Sequence, residues 1–143
     1  VSKRYFQRKH DNILRYSKTD KYTHIPQFER SYMSHKYGFK GLIEHYDEEK
    51  DMWYRDVHMR DVWDMDIVRG NVSEKVDYNT QKPKALLKRI IKASSNKGDT
   101  VADFFCGSGT TLVVAKELER NYVGCDINER AIKITKERLE NIR

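Results

Sequence analysis

The chain has 143 residues, with 28 basic and 22 acidic side chains, a net charge of +6 and 38% hydrophobic content. That is enough for one domain with a modest core, and no apolar run approaches the roughly 18 residues that a helical membrane span requires. Its two cysteines, Cys106 and Cys125, lack metal-type spacing and no signal-peptide pattern opens the sequence, so a reduced, cytoplasmic protein with no membrane partner is expected rather than a disulfide scaffold.

The charge is unevenly spread: residues 1–43 carry net +7, residues 44–66 net −6 and residues 67–143 net +5. A basic front end suits a phosphate backbone. Residues 1–9 mix Lys3, Arg4, Arg8 and Lys9 with Tyr5 and Phe6. Cations for phosphate and rings for stacking make those four cations the candidate nucleic-acid contacts, the alternative being a frayed terminus whose aromatics pack locally. His10, Asp11 and Asn12 read as a turn, and residues 13–17 as a strand. Residues 18–45 are polar and without clean period; 21–26 should be extended because the residue before Pro26 avoids the helical region. Residues 27–36 read as a short helix with Phe28 and Tyr32 on one face, broken by Gly38 and Gly41. Residues 46–66 hold Tyr46, Trp53, Tyr54 and Trp63 among many acids, as an adaptable recognition lobe or a lid would.

Further on, Thr80 can cap and Pro83 suits the first turn of an amphipathic helix over 83–95, with Leu86, Leu87, Ile90 and Ile91 on its apolar face. Residues 96–99 turn into a buried strand over 100–105. The loop Asp103-Phe104-Phe105-Cys106-Gly107-Ser108-Gly109-Thr110-Thr111 follows, and Thr110 or Thr111 can cap the helix behind it. A second strand over 122–126 ends in Asp126, and Asn128 caps a last helix whose Ala131, Ile132, Thr135, Leu139 and Ile142 should face the sheet.

Strand, glycine loop, helix, strand and acid fall in the order of a nucleotide-binding unit. Gly107 and Gly109 let the backbone approach a ligand, and an acid at position 126 can take both hydroxyls of a ribose. A dinucleotide site wants a third small residue where Leu112 stands, and a P-loop wants a lysine after Gly109. S-adenosylmethionine (AdoMet) needs the loop and the acid but no pyrophosphate seat, which puts it ahead of a dinucleotide.

The loop 103–111 also resembles the AdoMet loop of bacterial amino-group DNA methyltransferases, usually D-P-F-x-G-S-G-T-T. The block Tyr78-Asn79-Thr80-Gln81-Lys82-Pro83 resembles that family's x-P-T-Q-K-P. With this block directly upstream of the loop, the chain is similar to the circularly permuted branch that makes N6-methyladenine or N4-methylcytosine. Residues 10–18, 61–64 and 73–75 resemble further features of that branch.

The resemblance implies an α/β fold: a partial Rossmann-like, AdoMet-dependent methyltransferase sheet with a helix-flanked AdoMet half and an irregular recognition insert. Residues 1–18 would be a basic segment and a strand of the catalytic sheet, 19–75 the target recognition region and 76–143 the AdoMet half. It implies that Asp103, Phe105, Gly107 and Gly109 line the methionine end of AdoMet, that Thr110 also belongs to the cofactor site, that Asp126 holds the ribose, and that Thr80, Gln81 and Lys82 close the other side. Phe104 and Asn79 stand where the family usually has proline.

One family block is missing. The Asp/Asn/Ser-Pro-Pro-aromatic motif, which would bind the amino group of a flipped base, needs adjacent prolines, and this sequence has only Pro26 and Pro83. No catalytic residue is therefore expected among these 143. In the permuted branch the block lies upstream, so the chain reads as the C-terminal part of an enzyme. Its implied partners are double-stranded DNA with a flipped base and the missing N-terminal portion or a second chain. A restriction nuclease is compatible with the family, although no residue points to one. Strand 100–105 is expected to have an open edge, with 122–126 as its one sure neighbour.

Overall fold

The computed structural model describes residues 10–66, 68 and 73–142. Two small sheets organise it. The first is antiparallel and holds β1 (Phe28–Met33), β2 (His45–Asp47) and β3 (Met52–His58) in the order β1-β3-β2. The second is parallel and pairs β4 (Thr100–Asp103) with β5 (Asn121–Gly124), Asp103 lying opposite Gly124. Among the described residues three helices accompany the sheets: α1 (Lys84–Ser94), α2 (Thr110–Glu117) between β4 and β5, and α3 (Glu129–Glu140).

The core sits around α2. Val113, Val114 and Ala115 are almost fully buried, and Ile91 of α1 packs on Val114 and Ala115 with Leu87, Val101 and Leu118 around them. Charges tie the helices together at the rim: Lys84 and Lys88 of α1 reach Glu117 at 2.5 and 3.0 Å. Burial works against the Glu117 carboxylate, but the two ammonium groups outweigh it and hold its pKa below the ordinary value. Arg120 donates to the Ser95 carbonyl at 2.6 Å and to its hydroxyl at 3.2 Å, closing the end of α1 against the start of β5.

The helix readings hold, with shifted starts. Helix α1 begins at Lys84 with Pro83 as its N-cap residue, and the Lys84 N–H donates to Glu74 at 2.9 Å, so the capping acceptor is Glu74 and not Thr80. Helix α2 is capped by Gly109 in the left-handed region, with no hydroxyl cap from Thr110 or Thr111. Asn128 does cap α3, accepting from the N–H groups of Arg130 and Ala131.

Two expected elements are different. Residues 27–36 are not a helix: β1 runs through them. Phe28 and Tyr32 lie four apart, which puts them on one face of a strand as well as of a helix. Their partners decide the outcome, Phe28 facing His58 with ring centroids 4.5 Å apart and Tyr32 facing Tyr54 at 5.7 Å. Residues 13–17 form no strand; Ile13, Leu14 and Tyr16 are 54, 73 and 85% exposed, and no segment among the described residues pairs with them. The insert expected to be irregular is built on the three-stranded sheet. Among the described residues the outer edge of β4 has no partner, as expected, and Phe105, Val123 and Ile127 nearby stand exposed.

Candidate cofactor site

Strand β4 stops at Asp103 because its side chain accepts the Phe105 N–H at 3.1 Å and turns the chain. The Cys125 N–H then donates to the Asp103 carbonyl at 3.1 Å and the Cys106 N–H to the Cys125 carbonyl at 3.0 Å, so loop and β5 stay joined past the sheet. Gly107 and Gly109 both take positive φ, +52° and +73°, and the Gly109 N–H closes the turn on the Cys106 carbonyl at 2.7 Å.

Helix α3 holds this loop from behind. The Thr135 hydroxyl donates to the Gly107 carbonyl at 3.0 Å. Arg138 donates to the Ser108 carbonyl, to the Ser108 hydroxyl at 3.3 Å and to the Thr110 hydroxyl at 3.1 Å. Burial lowers the Arg138 pKa from its ordinary value, against the pull of Glu74 and Glu117. A Cβ on Gly109 would lie 2.5 Å from Thr135, and one on Gly107 would meet the Tyr78 ring at 3.3 Å. Sequence reading missed the role of Tyr78 and Arg138 in shaping the loop. The signal was there for Arg138: 131, 135 and 138 share one helical stripe, and a cation in that stripe needs a partner.

Asp126 lies at the open end of the loop. One of its oxygens accepts the Gly107 N–H at 2.8 Å and the other the Asn128 N–H at 2.9 Å. These backbone bonds, Asn128 first and then Gly107, hold its carboxyl below the ordinary carboxylate range, so it is ionised at neutral pH. A carboxylate has about four acceptor positions, so capacity remains for a ligand's hydroxyls. Asp103 and Asp126 thus set two acids at the ends of neighbouring strands, while Arg138 is bonded to the loop's other side. The field there suits a cationic nucleoside better than a diphosphate. Phe105, 91% exposed, adds an apolar ring beside it. The Cys106 thiol is pushed up by burial and then by Asp103, so it stays protonated and is no nucleophile.

The upstream block reaches the same place. Gln81 is buried, accepting the Val76 N–H at 2.8 Å and donating to the Glu74 carbonyl at 2.6 Å, so its amide organises residues 74–76. Arg130 of α3 pairs with Asp77. Thr80 and Lys82 are exposed. The structure therefore brings Asp103, Phe105, Gly107, Gly109, Thr110 and Asp126 together, with Gln81 anchoring the block beside them. Lys3, Arg4, Arg8 and Lys9 lie outside the described residues.

The family model described as DNA methylase matches residues 1–137. The Type II methyltransferase M2.LlaDCHI of Lactococcus lactis subsp. cremoris is 34% identical over 139 residues, covering 97% of this chain and 45% of that protein. The Type II methyltransferase M2.DpnII of Streptococcus pneumoniae is 46% identical over 57% of this chain and 31% of its own length. The DNA adenine methyltransferase YhdJ of Escherichia coli (strain K12) is 51% identical over 55% of this chain and 27% of its own. Among solved structures, the M1.HpyAVI-SAM complex is similar with 29% identity and a TM-score of 0.47, covering 62% of this chain and 50% of that one. The chain spans less than half the length of these curated relatives. The extent of the family match and the identity to M2.LlaDCHI along almost the whole chain show that the chain belongs to the DNA methylase family of bacterial amino-group methyltransferases.

Proposed function

We propose that this chain is the AdoMet-binding part of a DNA methyltransferase that moves a methyl group to an exocyclic amino group of a base, adenine N6 in preference to cytosine N4. The observation that carries the reading is the bond between the Gly107 N–H and the Asp126 carboxylate, which joins the glycine loop to the acid that would hold a ribose. The adenine specificity named for the Escherichia coli relative supports the choice of base.

The residues present fit AdoMet. Asp126 keeps acceptor capacity for the ribose hydroxyls, and the glycine backbone is shaped from behind so that its front stays open to the methionine end. Asp103 and Asp126 favour a ligand carrying a sulfonium and an ammonium group. Phe105 borders the same end, Thr110 supports the loop from behind through Arg138, and Thr80 and Lys82 close the far side, with Gln81 holding that segment in place. Bound there, AdoMet supplies an electrophilic methyl carbon to the amino nitrogen of the base. The chain's own part is placement and exclusion of water, because it offers no activated nucleophile.

The missing Pro-Pro-aromatic block is what should present the base, so the 143 residues by themselves bind without turnover. In the whole protein a further portion or a second chain supplies that block, and the chain alone acts as a non-catalytic AdoMet- and DNA-binding module or as the complementing half of a split enzyme. Calorimetry tests the cofactor reading. S-adenosylhomocysteine should bind, NAD should not, and Asp126→Ala should weaken the former roughly tenfold or more, the scale of a lost hydrogen bond to a charged group. Equal binding of NAD, or no loss in the variant, contradicts it. Methyl transfer to DNA by the purified chain would refute the claim that it lacks turnover.

A further inference from the structure

A groove runs between the three-stranded sheet and α1, on a part of the surface that the cofactor loop does not use. Two backbone bonds fix its walls: the Ile25 N–H donates to the Ala93 carbonyl at 2.8 Å, and the Met59 N–H to the Gln27 carbonyl at 2.9 Å. His24, His58, Arg60, Trp63 and Arg89 line it, and its lining holds no acid. That is notable in a chain with 22 acidic residues, nine of them within 44–66. Arg15 adds a further cation outside it, donating to the Thr23 carbonyl at 3.3 Å and lying 3.4 Å from His24.

Arg89 is the informative residue. Its guanidinium carbon lies 4.9 Å from the centre of the Trp63 ring. The indole itself is fixed, because its N–H donates to the Arg60 carbonyl at 2.6 Å. Among the described residues Arg89 donates to no acceptor and pairs with no carboxylate. A guanidinium held against a ring keeps its planar fork of N–H donors available, which is the geometry that takes a phosphate in bidentate fashion. Arg60 stands at the rim, 83% exposed, with only a loose contact to Glu29 at 3.6 Å. At one end the His58 ring lies against Phe28, which is 54% exposed and offers a flat apolar face.

We infer that this groove seats the phosphodiester backbone of DNA, with Arg60 and Arg89 as its phosphate contacts. The inference rests on the DNA methyltransferase reading and deepens it, placing a DNA contact on the described residues and away from the basic run at 1–9. Phosphate contacts of this kind set the register of a protein on its duplex and carry no sequence information.

Fluorescence anisotropy of a labelled duplex, titrated with the full chain across a salt series, tests it. Arg60→Gln and Arg89→Gln should each lower the magnitude of the log–log salt slope by about 0.9 and weaken binding equally for unrelated duplexes. Arg89→Lys should keep the slope, which separates lost charge from lost packing against Trp63. Lys133→Gln, on an exposed position of α3, should change neither. Wild-type slopes in both glutamine variants would overturn the inference. Calorimetry with S-adenosylhomocysteine on the same proteins keeps the two readings apart. Unchanged cofactor affinity with unchanged slopes sinks the groove alone, whereas a wild-type chain that binds neither ligand sinks the methyltransferase reading and the groove with it.

Discussion

Gly109 carries two demands that no other residue type meets at once. Its φ of +73° lies in the left-handed region, and the space where a Cβ would stand is filled by Thr135 at 2.5 Å. Replacing it with alanine should cost about 1–3 kcal/mol in urea unfolding, from backbone strain together with the clash. Gly109→Ala/Thr135→Ala should recover only part of that loss, since removing the threonine clears the contact and leaves the dihedral. Full recovery would mean that the backbone carries no strain there, and an unchanged midpoint in the single variant would mean that the loop is not held as described. Gly107, at φ +52°, is crowded less tightly, a Cβ there meeting the Tyr78 ring of the preceding loop at 3.3 Å. Asp126 belongs with them. Its carboxylate is tied to the loop through Gly107 and to the start of α3 through Asn128, so one side chain serves the shape of the site as well as its chemistry.

At the scale of elements, the parallel pair β4–β5 is incomplete. Parallel strands are ordinarily covered on both faces, and a two-stranded sheet by itself is marginal. Here α2 covers one face, while Phe105, Val123 and Ile127 are 91, 49 and 102% exposed and the outer edge of β4 has no partner among the described residues. We therefore expect the isolated chain to self-associate in size-exclusion chromatography with light scattering, and to become monodisperse when a polypeptide that pairs with β4 is supplied. A dilute, stable monomer with a cooperative melt would contradict this. The same scale explains what was legible beforehand. The apolar stripes of α1 and α3, the Asn128 cap and the order of strand, loop and acid could all be read along the chain, because each is a local pattern. The strand at 28–33 was not, because a spacing of four residues fits both periods and the deciding contacts come from Tyr54 and His58, more than twenty residues away. Residues 13–17 look like a strand in composition, but a strand exists only with a neighbour to pair with. The stripe of α3 marked Arg138 as a cation in need of a partner, but Ser108 and Thr110, which it bonds, lie 30 and 28 residues away and could not be read along the chain.

For the molecule as a whole, the two surfaces with ligand chemistry are built differently. The cofactor loop is a rigid feature, its glycines wedged against α3 and residue 78 and its acid pre-ionised by backbone bonds. The groove between the antiparallel sheet and α1 is cationic and open, as suits a partner held mainly by charge. The account depends on the first of them. The direct test is a backbone-amide NMR titration with S-adenosylhomocysteine. We predict shifts concentrated at Gly107, Ser108, Gly109 and Asn128 that saturate with the ligand, with ADP at the same concentration leaving them in place. Amides at 107–109 that stay unmoved at saturating S-adenosylhomocysteine, or that move equally with ADP, would contradict it.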